Sequence, residues 1–123
     1  MSYKIDTNCI HAGYEPKSGE PRVVPIYQST TYEYTSSEQI GKLFDLDDNR
    51  PFYTRLGNPT TTAVEAKIAA LEGGIGALLT ASGQAASLFS ILNICSAGDH
   101  VISSTSIYGG TFNLLNNTLR KLG

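Results

Sequence analysis

Regular hydrophobic patterning begins at Asn58, where a helix is predicted. Asn58 is a favourable N-cap, and Pro59 suits the first helical position. Apolar residues at i, i+4 and i+7 then predict one helical face: Val64, Ile68 and Leu71. Gly73 and Gly74 predict the end of this helix.

The rest of the chain alternates between predicted strands and helices. Residues 77–81 resemble a buried strand, and residues 84–95 a mostly buried helix that is apolar on nearly every side. Residues 100–104 predict a second strand, and residues 111–122 a third helix. The order αβαβα predicts an α/β fold with parallel strands and right-handed crossovers. Because two strands are too few for a stable sheet, we expect an incomplete sheet and the N-terminal piece of a larger protein.

The first 57 residues lack this regularity and predict an extended arm. Prolines interrupt them at Pro16, Pro21, Pro25 and Pro51, and only residues 36–43 suggest a helical turn or two. Such a long irregular segment is not expected to form a core alone. We therefore divide the chain into an arm, residues 1–57, which packs on its own protein or on a neighbouring subunit, and the start of a larger domain, residues 58–123.

Composition narrows the functional classes. Nine basic and eleven acidic residues among 123 give a net charge of −2, which gives no support to nucleic-acid binding. The N-terminus has no signal-peptide core, and no apolar stretch is long enough to cross a membrane. The spacing of Cys9 and Cys95, like that of His11 and His100, fits no metal site, so we expect free thiols, no metal and a cytoplasmic protein.

The turn between the first predicted strand and the next helix is the strongest candidate for chemistry. Ser82 and Gly83 occupy this turn, and the backbone N–H groups of Gly83 and Gln84 would be free at the helix N-terminus. Free amides and the helix dipole attract a phosphate. An ordinary strand-to-helix turn has the same sequence, so the motif alone is weak. A nucleotide-binding loop is disfavoured, since the extra glycines or the lysine of such loops are missing.

Further motifs, in order along the chain, strengthen the assignment. They are residues 7–13 (TNCIHAG), 25–31 (PIYQSTT), 53–60 (YTRLGNPT) with Glu65, 71–73 (LEG), 81–83 (ASG), 98–100 (GDH) and 108–111 (YGGT). Together they resemble the cystathionine γ-synthase-like, or Cys/Met metabolism, family of pyridoxal 5'-phosphate (PLP) enzymes. The resemblance covers almost the whole chain and implies the start of the large domain of fold type I.

The resemblance also implies roles for individual residues. Gly83 and Gln84 would donate backbone N–H groups to the PLP phosphate, with Ser82 shaping the turn, and Tyr108 would stack on the pyridine ring. Two further residues would reach the phosphate of the neighbouring subunit's cofactor in a homo-oligomer, a dimer or an assembly of dimers: Tyr53 and Arg55. An arginine suits that role because its planar fork binds phosphate through two hydrogen bonds.

The Ser-Gly-Gln-Ala-Ala sequence at residues 82–86 is similar to the O-acetylhomoserine sulfhydrylase branch of the family. That branch implies a transferase of methionine biosynthesis, which replaces the acetate of O-acetyl-L-homoserine by sulfide or a thiol. Cystathionine γ-synthase and the cystathionine or methionine γ-lyases remain alternatives, although Gly110 disfavours methionine γ-lyase, where cysteine is typical. A non-catalytic phosphate-binding module and a pure interaction protein are alternatives of other classes.

The residues expected to perform the chemistry are missing from this stretch of sequence. The family's Schiff-base lysine follows a Ser-x-Thr pattern, and none of the five lysines has that context: Lys4, Lys17, Lys42, Lys67 and Lys121. We therefore expect no catalytic residue in this chain, and no activity from the 123 residues alone.

Overall fold

The computed structural model describes residues 3–123 and contains five α-helices within that range. They are α1 (Ile5–His11), α2 (Ser37–Phe44), α3 (Pro59–Glu72), α4 (Gly83–Leu92) and α5 (Gly109–Asn113). A π-helical segment (Leu114–Thr118) and a 3₁₀ turn (Leu119–Lys121) continue α5. The chain forms two compact units, one ending at Leu78 and the other beginning at Leu79. No helix within residues 3–123 combines the length and the hydrophobicity that a membrane crossing requires.

Helix α3 has the two ends predicted from the sequence. The Asn58 side chain accepts a hydrogen bond from the Thr60 N–H at 2.9 Å, and Pro59 occupies the first turn. Gly73 ends the helix in the left-handed conformation, φ 66°, and its N–H bonds to the Ala69 carbonyl. Both ends depend on local chemistry alone.

The buried face of α3 is not the predicted one. Val64 and Ile68 are exposed and Leu71 is half-buried, whereas the buried helical residues are Ala63 and Ala69. Small side chains let another backbone approach closely, and the arm does so at Gly13. A Cβ atom at Gly13 would lie 2.8 Å from the Lys67 nitrogen, and its φ of +90° also favours glycine.

The arm contains a helix that the sequence did not predict. Helix α1 packs on α3, and the Lys67 ammonium donates to the carbonyls of Cys9 and Ile10 at 3.1 and 3.3 Å. A cation is favourable at the carboxyl end of a helix. The partner that caps α1 therefore lies 58 residues away in the sequence.

Helix α2 confirms the helical segment predicted at residues 36–43. Its N-cap is Ser36, whose side chain accepts from the Gln39 N–H at 3.3 Å. Leu43, on the last turn, is fully buried. Phe44 follows it, and its ring lies 5.0 Å from that of Phe52. The contacts of α2 thus anchor the loop that leads to residue 53.

The second unit begins with α4, which confirms the predicted helix with bounds slightly different from residues 84–95. No residue of α4 is buried in this structure, although the sequence predicts a mostly buried helix. The predicted helix at residues 111–122 corresponds to the run from Gly109 to Lys121. Its hydrogen bonding changes from α-helical to π-helical at Leu114 and to 3₁₀-helical at Leu119.

The predicted strands at residues 77–81 and 100–104 are not strands in this structure. Between residues 3 and 123, the isolated antiparallel bridge of Thr31 with Tyr53 is the only β-pairing. A strand exists only when a second segment pairs with it, and these two segments do not pair with each other. Their apolar side chains are accordingly open to solvent, as with Ile102 at 98% exposure. The predicted parallel sheet is therefore absent from the described residues.

Candidate functional site

Ser82 shapes the turn at the start of α4. It lies in extended backbone, and its Oγ accepts a hydrogen bond from the Ala85 N–H at 3.1 Å. Its carbonyl accepts both the Thr80 hydroxyl at 2.9 Å and the Ala86 N–H at 3.0 Å. Ser82 thus satisfies one of the free donors of the first turn and fixes the direction in which the helix begins.

The next two amides remain open. Within the described part of the chain, neither the Gly83 N–H nor the Gln84 N–H has a hydrogen-bond acceptor. A Cβ atom built on Gly83 would meet no other atom within 4 Å, so the space beside these amides is accessible. Open amides at the positive end of a helix dipole form a seat for an anion.

Tyr108 presents an open aromatic face at the start of α5. It is the N-cap residue of that helix and is 75% exposed. Its ring folds back over Gly110, where a Cβ atom would lie only 2.6 Å from the Tyr108 Cε1 atom. This position of the ring therefore requires a residue without a side chain at Gly110, and the exposure of Tyr108 leaves its ring accessible for stacking on a planar group.

The Gln84 side chain connects the two features just described. Its Nε2 atom donates to the Thr111 hydroxyl at 3.2 Å, and both residues are half-buried. The structure therefore brings Gln84, on α4, next to the segment that carries Tyr108. Sequence reasoning found the backbone of Gln84 but missed its side chain, because no local pattern marks a partner 27 residues away.

Tyr53 and Arg55 lie together in the first unit. The Arg55 guanidinium carbon is 5.1 Å from the centre of the Tyr53 ring, within the range of a cation–π contact. Tyr53 is held by the bridge to Thr31. Arg55 is exposed, and no carboxylate of residues 3–123 pairs with it.

Thr54 lies between these two residues and is held by Asn58, a buried residue that the sequence predicted only as a helix cap. The Thr54 N–H bonds to the Thr30 carbonyl at 2.9 Å, and its hydroxyl donates to the Ser29 carbonyl. Asn58 is 7% exposed, and its Nδ2 donates to the Tyr27 carbonyl at 2.9 Å and to the Thr54 hydroxyl at 3.2 Å. One asparagine thus fixes the start of α3, the arm and the Tyr53–Arg55 segment.

Arg50, the neighbouring arginine, already has an anionic partner. Arg50 makes an ion pair with Asp48 at 2.6 Å, and its guanidinium lies 4.9 Å from the Tyr34 ring centre. Hydrogen bonds from Arg50 hold the pKa of the Asp48 carboxyl below its usual value. Of these two cations, Arg55 is therefore the one available to an external anion.

Comparison with known proteins decides the family. The family model described as "Cys/Met metabolism PLP-dependent enzyme" matches residues 6–123. The chain belongs to this family. Its cofactor is PLP, as the resemblance implied, and the structural neighbours are PLP-dependent enzymes of fold type I.

Individual relatives agree with this assignment. The chain is 46% identical to O-acetyl-L-homoserine sulfhydrylase of Leptospira meyeri over 99% of its own length. It is 43% identical to L-methionine gamma-lyase of Fusobacterium nucleatum subsp. polymorphum over 98% of its length. It spans 28% and 31% of those two proteins.

The fold is shared with a solved structure that contains a PLP adduct. A putative O-acetylhomoserine (thiol)-lyase from Campylobacter jejuni, solved with N'-pyridoxyl-lysine-5'-monophosphate, matches with a TM-score of 0.91 and 36% identity. The match covers 98% of this chain and 30% of that one.

The residues described above fit PLP. Two open amides suit its phosphate, and an open tyrosine face suits its aromatic ring. Arg55, which has no carboxylate partner among residues 3–123, carries the planar guanidinium that suits a phosphate.

Proposed function

We propose that this chain forms the phosphate seat and the stacking tyrosine of an enzyme that performs γ-replacement on O-acetyl-L-homoserine. In the proposed reaction, sulfide or a thiol forms a C–S bond at the γ carbon and acetate leaves. The products are homocysteine, or methionine when methanethiol is the thiol. The observation that carries the proposal is the pair of open amides at Gly83 and Gln84, beside an exposed Tyr108, in a chain of this family.

Residues of α4 would hold the cofactor by its phosphate. The Gly83 and Gln84 amides would donate to phosphate oxygens, and Ser82 would keep the first turn in the orientation that directs both amides outward. These donors are fixed by the backbone before the anion binds, so binding does not require ordering of long side chains.

Tyr108 would fix the plane of the bound ring. When bound, PLP supplies an electron sink for negative charge that develops on the substrate carbons. The Tyr108 ring, held by its contact with Gly110, would cover one face of the pyridine and keep water from that face. Its role is therefore orientation rather than proton transfer.

Tyr53 and Arg55 would act on the cofactor of a neighbouring subunit in a homo-oligomer. Both lie on the segment preceding α3, and Arg55 is exposed and unpaired within the described residues. The Tyr53 ring and the anchored Thr54 hold this segment, so the guanidinium is available to a phosphate without large rearrangement.

The lysine that bonds to the cofactor would come from outside residues 3–123. Lys67, the most constrained candidate, already donates to the Cys9 and Ile10 carbonyls. None of the others has the expected sequence context, so the 123-residue chain alone is expected to be inactive.

The test uses the complete polypeptide that contains this chain, purified with PLP. Given O-acetyl-L-homoserine and sulfide, it should release acetate and form homocysteine in equal amounts. Pyridoxal, which lacks the phosphate, should bind much more weakly than PLP if the α4 amides form the main seat. A protein that binds neither compound would overturn the proposal and favour a pure interaction role.

A γ-lyase is the competing function, supported by the 43% identity to an L-methionine gamma-lyase. A γ-lyase would convert L-methionine and water, without any added thiol, to a 2-oxo acid, ammonia and methanethiol. Comparing the two reactions on one preparation separates the candidates. Faster turnover of methionine than of O-acetyl-L-homoserine with sulfide would replace the first proposal by the second.

A further inference from the structure

The side chain of Gln84 does not face the open amides of α4 but turns toward α5. Its Nε2 lies 3.2 Å from the Thr111 hydroxyl, and a Cβ atom at Gly110 would be 3.2 Å from the same nitrogen. Gln84 and Thr111 are both half-buried. The hydrogen bond therefore lies in a partly buried contact between α4 and α5.

The contact matters because the two elements that it joins have no other regular connection. Residues 93–108, between α4 and α5, contain no helix or strand. The distance between the α4 amides and the Tyr108 ring thus depends on contacts made across the helices. Tyr108 rests on Gly110, Gly110 lies against Gln84, and Thr111 accepts the Gln84 hydrogen bond.

We propose that the Gln84 side chain and the Thr111 hydroxyl are positioning residues, which hold the Tyr108 ring at the stacking distance from a cofactor seated on α4. The inference rests on the proposed function, since it concerns the same site. It assigns Gln84 two separate roles. The backbone N–H binds phosphate, and the side chain sets the place of the stacking ring through Thr111.

Substitution of Thr111 tests the side-chain role without changing a phosphate ligand. Thr111→Val keeps the size and removes the acceptor, while Thr111→Ser keeps a hydroxyl. Thr118→Val is the matched control, because Thr118 is exposed and its hydroxyl makes no hydrogen bond within the described residues. Gln84→Met removes the donor and keeps a side chain of similar length.

Two readouts on the complete polypeptide separate positioning from general stability. The first is the dissociation constant for PLP, and the second is the visible circular dichroism of bound PLP, which depends on how the ring is held. We expect Thr111→Val and Gln84→Met each to weaken PLP binding about five-fold, the effect of one neutral hydrogen bond, and to change the dichroism. Thr111→Ser and Thr118→Val should behave like the parent protein.

The double variant provides the decisive comparison. If Gln84 and Thr111 act through one contact, Gln84→Met combined with Thr111→Val should be no worse than either single change. Additive effects, or unchanged dichroism in Thr111→Val, would overturn the inference and leave the proposed function intact. A parent protein that binds no PLP would overturn the proposed function, and this inference with it.

Discussion

Asn58→Asp is expected to release the Tyr53–Arg55 segment while leaving α3 in place. The substitution keeps the size of the buried side chain and the oxygen that accepts the Thr60 N–H. It removes the Nδ2 donor, which binds the Tyr27 carbonyl at 2.9 Å and the Thr54 hydroxyl at 3.2 Å. The change therefore separates the anchoring of the arm from the capping of the helix.

The expected magnitude follows from two lost hydrogen bonds. Each neutral hydrogen bond contributes about 1 kcal/mol, so the free energy required to open this segment falls by about 2 kcal/mol. That difference corresponds to an increase of about 30-fold in the open population. The carboxylate that replaces the Asn58 amide also faces the Tyr27 carbonyl oxygen at a site only 7% exposed, which further disfavours the docked segment.

Hydrogen exchange of the complete polypeptide measures this opening directly. The informative amides are those of Thr54, Leu56 and Gly57, which bond to the Thr30 and Tyr53 carbonyls. They should exchange about 30-fold faster in Asn58→Asp, whereas the amides of α3 should change little.

Ser36→Ala is the matched control. It removes an N-cap, whose side chain accepts from the Gln39 N–H, without touching the arm's contacts with α3. It should accelerate exchange in α2 only. The reasoning is refuted if Asn58→Asp leaves exchange at residues 53–57 unchanged, or if the acceleration is confined to α3.

Three further outcomes are expected. Gly110→Ala places a Cβ atom 2.6 Å from the ring of Tyr108. The PLP affinity should therefore fall about ten-fold in a titration, because an aromatic contact and its packing are lost. Gly109→Ala is the control: its Cβ atom meets no atom within 4 Å, so the PLP affinity should stay unchanged. Arg55→Lys keeps the positive charge and loses the planar fork, which removes one charge-assisted hydrogen bond. PLP should therefore dissociate about ten-fold faster, as measured by stopped flow. An unchanged dissociation rate would contradict the proposed role of Arg55. Hydrogen bonds from Arg50 lower the pKa of Asp48 below its ordinary 3.8. The stabilisation by their ion pair is therefore present above the unfolded pKa and is lost as the pH falls through the folded pKa. Carboxyl NMR should find Asp48 titrating below 3.8, and titration at or above 3.8 would contradict the pairing.

The features predicted correctly from the sequence are those set by neighbouring residues. The bounds of α3 follow from Asn58, Pro59 and Gly73, and the start of α4 follows from Ser82, because caps act within one helical turn. The candidate phosphate seat was predicted by the same local reasoning, and its binding of a phosphate stays a prediction. Its existence could be predicted because the free amides are a property of any helix start.

Features that depend on distant partners were missed or mispredicted. Helix α1 is held by Lys67, and the hydrogen bond of Gln84 ends on Thr111, which no short pattern reveals. The strands at residues 77–81 and 100–104 were predicted from hydrophobicity, yet a strand depends on a paired neighbour that is absent from the described residues. The exposed faces of α4 have the same explanation, since burial depends on what covers a helix.

The Thr60 hydroxyl has a consequence for synthesis on the ribosome. It donates to the Pro25 carbonyl at 2.7 Å and accepts from the Tyr27 N–H at 3.0 Å, so the arm is held by a residue more than 30 positions later in translation order. At about 5–20 residues per second, the arm leaves the ribosome some seconds before its docking partner on α3 does. During that interval Val23 and Ile26, exposed even after docking, are available to chaperones, and the arm can dock only after the chain has reached α3.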